Sequence, residues 1–296
     1  MAADRPMSSG SPVCAVTGSG GYVGSGIVRR LGADGAAIVE FRRNPAPGQS
    51  SHRRFSLGAK PELSQFSGID VLVHCAYDFK AHGWNEIRSV NVDGTRQLIE
   101  SASKAGIARF VIISSISAFP GCRSLYGRAK LEIEAIAADY GAVIIRPGLV
   151  HGPRPGGMFS ALGSLAAFPV AIPMLDSGGA VQFLAHEDDL GNLISMAVMR
   201  SAGVGTAPIV AAHSRGYTLA EVMTAIAISR GRKPRFISIP SNLASVGLLV
   251  LESVGLRPRF RRDSLISLLN QNLDPDFSIL KALGLSFRPF EIPKVQ

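Results

Sequence analysis

Apolar residues in the first half of the chain cluster in short runs at 12–17, 36–41, 71–76, 110–115 and 142–146, broken inside only by Glu40 and His74. Runs of that length, apolar at consecutive positions, predict strands of a sheet covered on both faces. A further short strand is expected at 55–57. Between the runs the period changes. Val23, Ile27, Val28 and Leu31 recur at helical spacing and Gly35 closes the segment. Residues 84–105 read as one long helix and 126–140 as another. Strands alternating with helices predict right-handed βαβ units, hence an α/β fold with a doubly wound parallel sheet.

Beyond Pro147 the regularity fades. Short strands (181–184, 209–211, 236–239) mix with helices (219–229, 243–254, 264–268), as expected of a smaller region laid over the open end of the sheet. Residues 155–175 carry no charge. Pro155, Pro169 and Pro173, with Gly156, Gly157 and Gly163, oppose a membrane-spanning helix, whose backbone must satisfy itself internally. The segment reads instead as a buried, partly helical stretch over a cleft, with no stable membrane insertion.

Lys plus Arg is 31 against 22 Asp plus Glu, a formal net charge of +9. That excess fits nucleic acid, an anionic surface or a polyanionic small ligand. No nucleic-acid recognition motif accompanies the basic clusters, and aromatic residues are only 7%, so nucleic acid is not an expected partner. Residues 243–256, followed by the basic run 257–262, have the makings of a membrane-surface helix. Glu252 interrupts the apolar run, so an amphipathic helix of the substrate region is the stronger expectation. Three scattered cysteines, Cys14, Cys75 and Cys122, suit neither a disulfide framework nor a metal cluster. They point to a reducing, cytoplasmic setting with no metal. Residues 1–12 lack the basic-then-apolar pattern of a signal peptide and read as a loose tail.

Three features carry candidate chemistry. The first is TGSGGYVG at 17–24, placed between strand and helix. Gly18, Gly21 and Gly24 give the tight turn and close backbone approach that a pyrophosphate needs, and a helix N-terminus begins behind them. The second is Arg42-Arg43 at the end of the second strand. An acidic residue there would bind a ribose hydroxyl, whereas arginine accommodates a 2′-phosphate, so NADP(H) is favoured over NAD(H). Glu40 is expected to lie too deep to compete. The third is Ser115, then Tyr126 and Lys130 at i, i+4 on one helix face. A tyrosine base needs a nearby cation to ionise, and a serine hydroxyl can hold the substrate oxygen.

Taken in order, TGSGGYVG, NVDGT (91–95), ISSISAF (113–119), YGRAK (126–130), RPGLVHGP (146–153) and HEDDL (186–190) resemble the extended short-chain dehydrogenase/reductases, the NAD-dependent epimerase/dehydratase family. The resemblance covers roughly residues 12–290 and includes Thr218-x-x-Glu221 and GRKPRFISIP near the end. It implies a Rossmann NAD(P)-binding domain at 12–150 and a substrate-binding region at 151–296, interleaved at the boundary, after a flexible tail at 1–11. It implies that Gly18, Gly21, Tyr22, Val23 and Gly24 cradle the pyrophosphate, that Arg42 stands where NAD-preferring members carry Asp, and that Ala76 passes the cofactor. Ser115 would hold the substrate oxygen and Tyr126 would be the acid/base. Lys130 would lower the Tyr126 pKa and bind the ribose. Asn91 would be mainly structural, and Pro147 and Leu149 would flank the nicotinamide.

The chain also departs from the family pattern. The loop from Ser115 to Tyr126 is short, and Ile116 and Ser117 replace the acidic set of the sugar dehydratases, which argues against dehydration. Ser56 stands where an acidic residue would contact adenine. His151 replaces a common tyrosine and reads as a packed side chain. The leading expectation is an epimerase or oxidoreductase acting on a nucleotide-sugar, with a second copy in a homodimer as a candidate partner. The alternatives are an NADPH-dependent reductase of a non-sugar carbonyl and a non-catalytic dinucleotide-binding module.

Overall fold

The computed structural model describes residues 11–45, 48, 50–168, 170–199, 205–253 and 261–292, with the backbone alone described at 250–253. Residues 1–10 of the tail expected at 1–11, and 257–260 of the basic run 257–262, lie outside these residues. β1 (Val13–Thr17) leads into α1 (Tyr22–Ala33), β2 (Ala37–Arg42) and β3 (His52–Arg54). β4 (Val71–His74) precedes α2 (Gly83–Ile87) and α3 (Gly94–Lys104), and β5 (Arg109–Ile113) precedes α4 (Leu125–Ala138) and β6 (Val143–Pro147). Next come β7 (Leu149–His151), α5 (Gly157–Ala166), β8 (Ile172–Leu175), β9 (Val181–His186) and α6 (Glu187–Met199). They are followed by β10 (Ile209–Ala211), β11 (Gly216–Thr218), α7 (Leu219–Ser229), β12 (Phe236–Ile239), α8 (Ser241–Ser253), α9 (Arg262–Leu269) and α10 (Ser278–Ala282).

Seven strands form one parallel sheet in the order β10-β6-β5-β4-β1-β2-β3. The order reverses between β1 and β4, and a ligand crevice is expected outside the carboxyl ends of those strands. The continuous apolar runs are explained by the packing. Val16, Val73 and Val111 face α1 and α6 on one side, while Ala15, Leu72, Phe110 and Ile112 face α3 and α4 on the other. Fully buried side chains such as Leu72 and Ile112 each contribute about 1.5–3 kcal/mol by leaving water. A third core, under α5 and α7, gathers Leu162, Tyr217, Val222 and Ile226. There β7, β9 and β11 form a small sheet and β8 pairs with β12. The Thr218-x-x-Glu221 match is a capping box: Thr218 Oγ1 accepts the Glu221 N–H and Glu221 Oε2 accepts the Thr218 N–H.

Two expectations need correction. The third strand is His52–Arg54, not 55–57. Phe55 is instead a buried anchor against Phe41, with ring centroids 5.9 Å apart, and the strand itself is an edge ladder of polar residues with no apolar pattern to reveal it. The long helix at 84–105 is broken by a wide, π-type stretch at Arg88–Asp93. Within that stretch Asn91 clamps the backbone of Asp78, accepting its N–H at 2.6 Å and donating to its carbonyl at 3.2 Å. Gly94 then lies so close to Gly58 that a Cβ would fall 2.6 Å from the Gly58 nitrogen. Among the described residues no helix is long and apolar enough to cross a membrane, and no cluster of His, Cys, Asp and Glu could hold a metal.

Candidate active site

The glycine loop sits at the reversal point of the sheet. Gly18 has φ +69°, and a Cβ there would meet the Ala76 backbone at 2.8 Å. A Cβ on Gly24 would fall 2.1 Å from the Gly18 carbonyl, whereas one on Gly20 would meet open space. Thr17 Oγ1 joins the two strand ends by accepting the N–H groups of Cys75 and Ala76 at 3.2 and 3.3 Å. Behind Thr17, the buried His74 bridges its hydroxyl to that of Thr95 at 2.7 and 2.9 Å. Helix α1 starts at the loop with no side-chain cap and no acidic residue in its first turn, so its N–H groups and positive end remain available to an anion. This cradle fits a dinucleotide pyrophosphate.

At the end of β2, Arg42 donates from Nε and Nη2 to Glu40 Oε2 at 2.9 and 2.6 Å. Glu40 is therefore not too deep to matter: alternate strand residues share a face, and its carboxylate lies beside the guanidinium. Burial opposes its ionisation, but the Arg42 hydrogen bonds and the Arg42 and His52 charges outweigh that and hold it below the usual range. Arg43 is exposed.

Ser115, Tyr126 and Leu149 line one cleft of about 670 Å³, with Tyr22 and Val23 from the start of α1. Ile116 reaches the next strand by donating to the Pro147 carbonyl at 2.9 Å, which fixes the segment behind Ser115. Burial pushes the Tyr126 phenol up to about 12, with a Ser115 hydrogen bond acting in the opposite direction. Lys130 is buried, donates to the Ile113 carbonyl at 2.8 Å, and lies 5.9 Å from the Tyr126 ring centroid. Burial pushes its ammonium down to about 8. The structure thus brings Ser115 and Tyr126 together with Lys130 behind them. The phenol is held neutral, the form that donates a proton.

Several residues of the site left no mark in the motifs. Tyr77 packs edge-on against Tyr126 with centroids 4.9 Å apart, and Phe79 stacks on it at 5.7 Å. Asp263, from α9, accepts the N–H groups of Leu125 and Tyr126 at 2.7 and 3.0 Å, while Ser124 caps α4 through the Gly127 N–H at 3.0 Å. Gly127 must be glycine here, since a Cβ would fall 2.3 Å from the Ser117 carbonyl. Glu134, buried in α4, receives Ser114 Oγ at 2.5 Å and both Arg146 nitrogens at 2.8 and 2.6 Å. That cluster ties α4 to β5 and β6. His151 is a packed side chain among Phe159, His186 and Phe290.

The family profile described as NAD dependent epimerase/dehydratase matches residues 14–210. The chain belongs to that family. A ceramide reductase of Caulobacter vibrioides (strain NA1000 / CB15N) is 33% identical over 250 residues, covering 80% of this chain and 77% of that one. A UDP-glucose 4-epimerase of Vibrio cholerae is 29% identical over 214 residues, covering 62% of this chain and 64% of that one. Among solved structures, MoeE5 in complex with UDP-glucuronic acid and NAD superposes with a TM-score of 0.72 at 20% identity, over 94% of each chain. At that identity the likeness establishes the shared fold.

Proposed function

We propose that this family member is an NADP(H)-dependent reductase of a carbonyl attached to a long apolar chain, such as a lipid ketone. The observation that carries this reading is the lining of the cleft. Around Ser115 and Tyr126 it is built from Phe79, Ile87, Leu149, Met158, Phe159 and Leu268. Among the described residues it holds one guanidinium, Arg261, beside two carboxylates, Asp78 and Asp263. That guanidinium already donates through Nη1 and Nη2 to the carbonyls of Phe79 and Ala81, which leaves its buried Nε without a partner among the described residues. A nucleotide-sugar, the substrate first expected from the sequence, brings a diphosphate that needs unengaged cations. An alkyl chain needs only apolar walls. The likeness to a ceramide reductase, whose named substrate is a lipid, supports the same choice.

When bound, the reduced nicotinamide supplies the hydride to the carbonyl carbon. Ser115 Oγ orients the carbonyl oxygen, and the neutral Tyr126 phenol delivers its proton to that oxygen. Lys130, charged below about pH 8, stabilises the phenolate left behind until solvent reprotonates it. Gly18, Gly21 and Gly24 leave room for the pyrophosphate, Tyr22 and Val23 open the helix that receives it, and Ala76 floors the loop. Pro147 and Leu149 shape the nicotinamide end. Arg42 and Arg43 are assigned to the 2′-phosphate. The three unpaired cysteines suit a reducing, cytoplasmic compartment.

The deciding experiment offers the purified protein NADPH with a long-chain keto-lipid in mixed micelles, and separately a panel of UDP-sugars followed by NMR. NADPH oxidation with the keto-lipid, reduced about 10³-fold in Tyr126→Phe with unchanged NADPH binding, is the expected result. Interconversion of UDP-sugars without net NADPH oxidation, and no turnover of the lipid, would overturn the reading in favour of an epimerase.

A further inference from the structure

Helix α8 turns a row of apolar side chains outward. Leu243, Val246 and Leu249 are 63%, 57% and 48% exposed and lie at i, i+3, i+6, on one face of the helix. The less exposed side carries Ala244, Leu248 and Ser245, and Ser245 Oγ accepts the Arg262 Nε–H at 3.0 Å. The strand that feeds α8, β12, likewise exposes Phe236 and Ile237. Its register places Phe236 beside Ile172, two residues after Val170, which is 81% exposed. An apolar band of this kind on a water-facing surface calls for a partner.

The surrounding charge selects the partner. From residue 222 to residue 251 the sequence has no Asp or Glu, and it carries Arg230, Arg232, Lys233 and Arg235 immediately before the exposed strand; the acidic residues at the two ends of α8 are Glu252 and Asp176, the latter accepting the Ser241 N–H at 2.9 Å. Lys233 and Arg235 are exposed. A second copy of the same face would bring like charges together, whereas an anionic lipid surface matches both the apolar band and the basic border. The band also adjoins the cleft, because Arg262 opens α9, and Ser264, Ser267 and Leu268 of that helix line the cavity.

We infer that the β12–α8 face docks the protein on an anionic membrane surface, from which an apolar substrate reaches the cleft. The route to the cleft rests on the reductase reading. The docking itself does not, and it is measured without substrate. The full-length protein is co-sedimented with vesicles of pure phosphatidylcholine and with vesicles containing about one-third phosphatidylglycerol. Binding to the anionic vesicles should exceed binding to the neutral ones by at least about tenfold and fall with added salt. The variant Leu243→Ser/Val246→Ser/Leu249→Ser should lose about tenfold or more of this binding while keeping wild-type NADPH affinity and melting temperature. Lys233→Glu/Arg235→Glu should lose the preference for anionic lipid without touching the apolar face. Equal sedimentation of wild type and both variants, or no binding to either vesicle, overturns the inference. So does a concentration-dependent dimer that the triple-serine variant abolishes, since a second copy would then cover the face. Turnover of a micellar keto-lipid with no vesicle binding sinks the docking and leaves the reductase reading intact. Vesicle binding with no such turnover does the reverse.

Discussion

Asp263 accepts the backbone N–H of Tyr126 at 3.0 Å, across 137 residues of sequence. Its other oxygen takes the N–H of Leu125 at 2.7 Å, so a carboxylate from the C-terminal region caps the helix that carries the candidate proton donor. Two N–H groups that a helix start leaves orphaned are satisfied, and the negative charge meets the positive end of α4. Replacing Asp263 by Ala should cost about 1 kcal/mol of stability. It should also lower kcat about tenfold or more through loss of alignment at Tyr126. NADPH affinity should stay within about twofold, because the glycine cradle is untouched. Asp263→Asn keeps one acceptor and should fall between the two. A loss of stability with kcat unchanged would reduce Asp263 to a helix cap.

If Arg42 receives a 2′-phosphate, as proposed, its pairing with Glu40 sets the choice of cofactor. Arg42→Ala should weaken NADPH about tenfold, the scale of one hydrogen-bonded charge, and leave NADH unaltered. Glu40→Gln removes the competing carboxylate and should tighten NADPH by a few-fold. Titration of both cofactors by nicotinamide fluorescence decides this, and equal losses for NADH and NADPH in Arg42→Ala would refute it.

On the proposed mechanism, buried Lys130, pushed down to about 8, should set the alkaline edge of activity. Its ammonium is present below about pH 8 and lost above it, so kcat/KM, which reports free-enzyme groups, should fall with rising pH through that value. The Tyr126 phenol, up near 12, remains protonated throughout. A flat kcat/KM profile to about pH 10 would remove Lys130 from the reaction.

His74 makes the fold acid-sensitive. Burial, with the Lys130 charge, pushes its pKa down from 6.5 to about 3. Above about pH 6.5 it is neutral in both states and costs nothing. As the pH falls below that, the unfolded chain takes up a proton that the folded chain refuses until about pH 3. Stability is therefore lost across that window, on the order of 2 kcal/mol by pH 5. His151, pushed down to about 4 mainly by burial, acts in the same direction. Urea midpoints at pH 7 and pH 5 should separate for the wild type and converge partly in His74→Gln.

Much of the fold can be read along the chain because the central strands are buried on both faces. Val71–His74 and Arg109–Ile113 appear as plain apolar runs, and the glycine loop, Ser115 and Tyr126 stand at recognisable spacings. What escapes such reading is held together across long separations. Asp263 has no local signature as a cap for Tyr126. Tyr77 and Phe79 look like ordinary loop aromatics until the fold lays them on the phenol. Strands of three residues, such as His52–Arg54 and Leu149–His151, are too short to show a period. The break in the helix at Arg88–Asp93 coincides with Asn91 grasping a loop that only the tertiary structure brings near.

The seventh strand of the parallel sheet, β10, enters from beyond residue 200 and pairs with β6 through Ile209 and Ile145, while α6 packs on α1 over the same core. Wholesale exchange of the C-terminal half between relatives would therefore strip the cofactor-binding half of an edge strand and of the helix that roofs α1. Strand β10 and helix α6 thus belong to the layers of the seven-stranded sheet although the second half of the chain encodes them, and a chimera that keeps the sheet whole must keep them with β6 and α1.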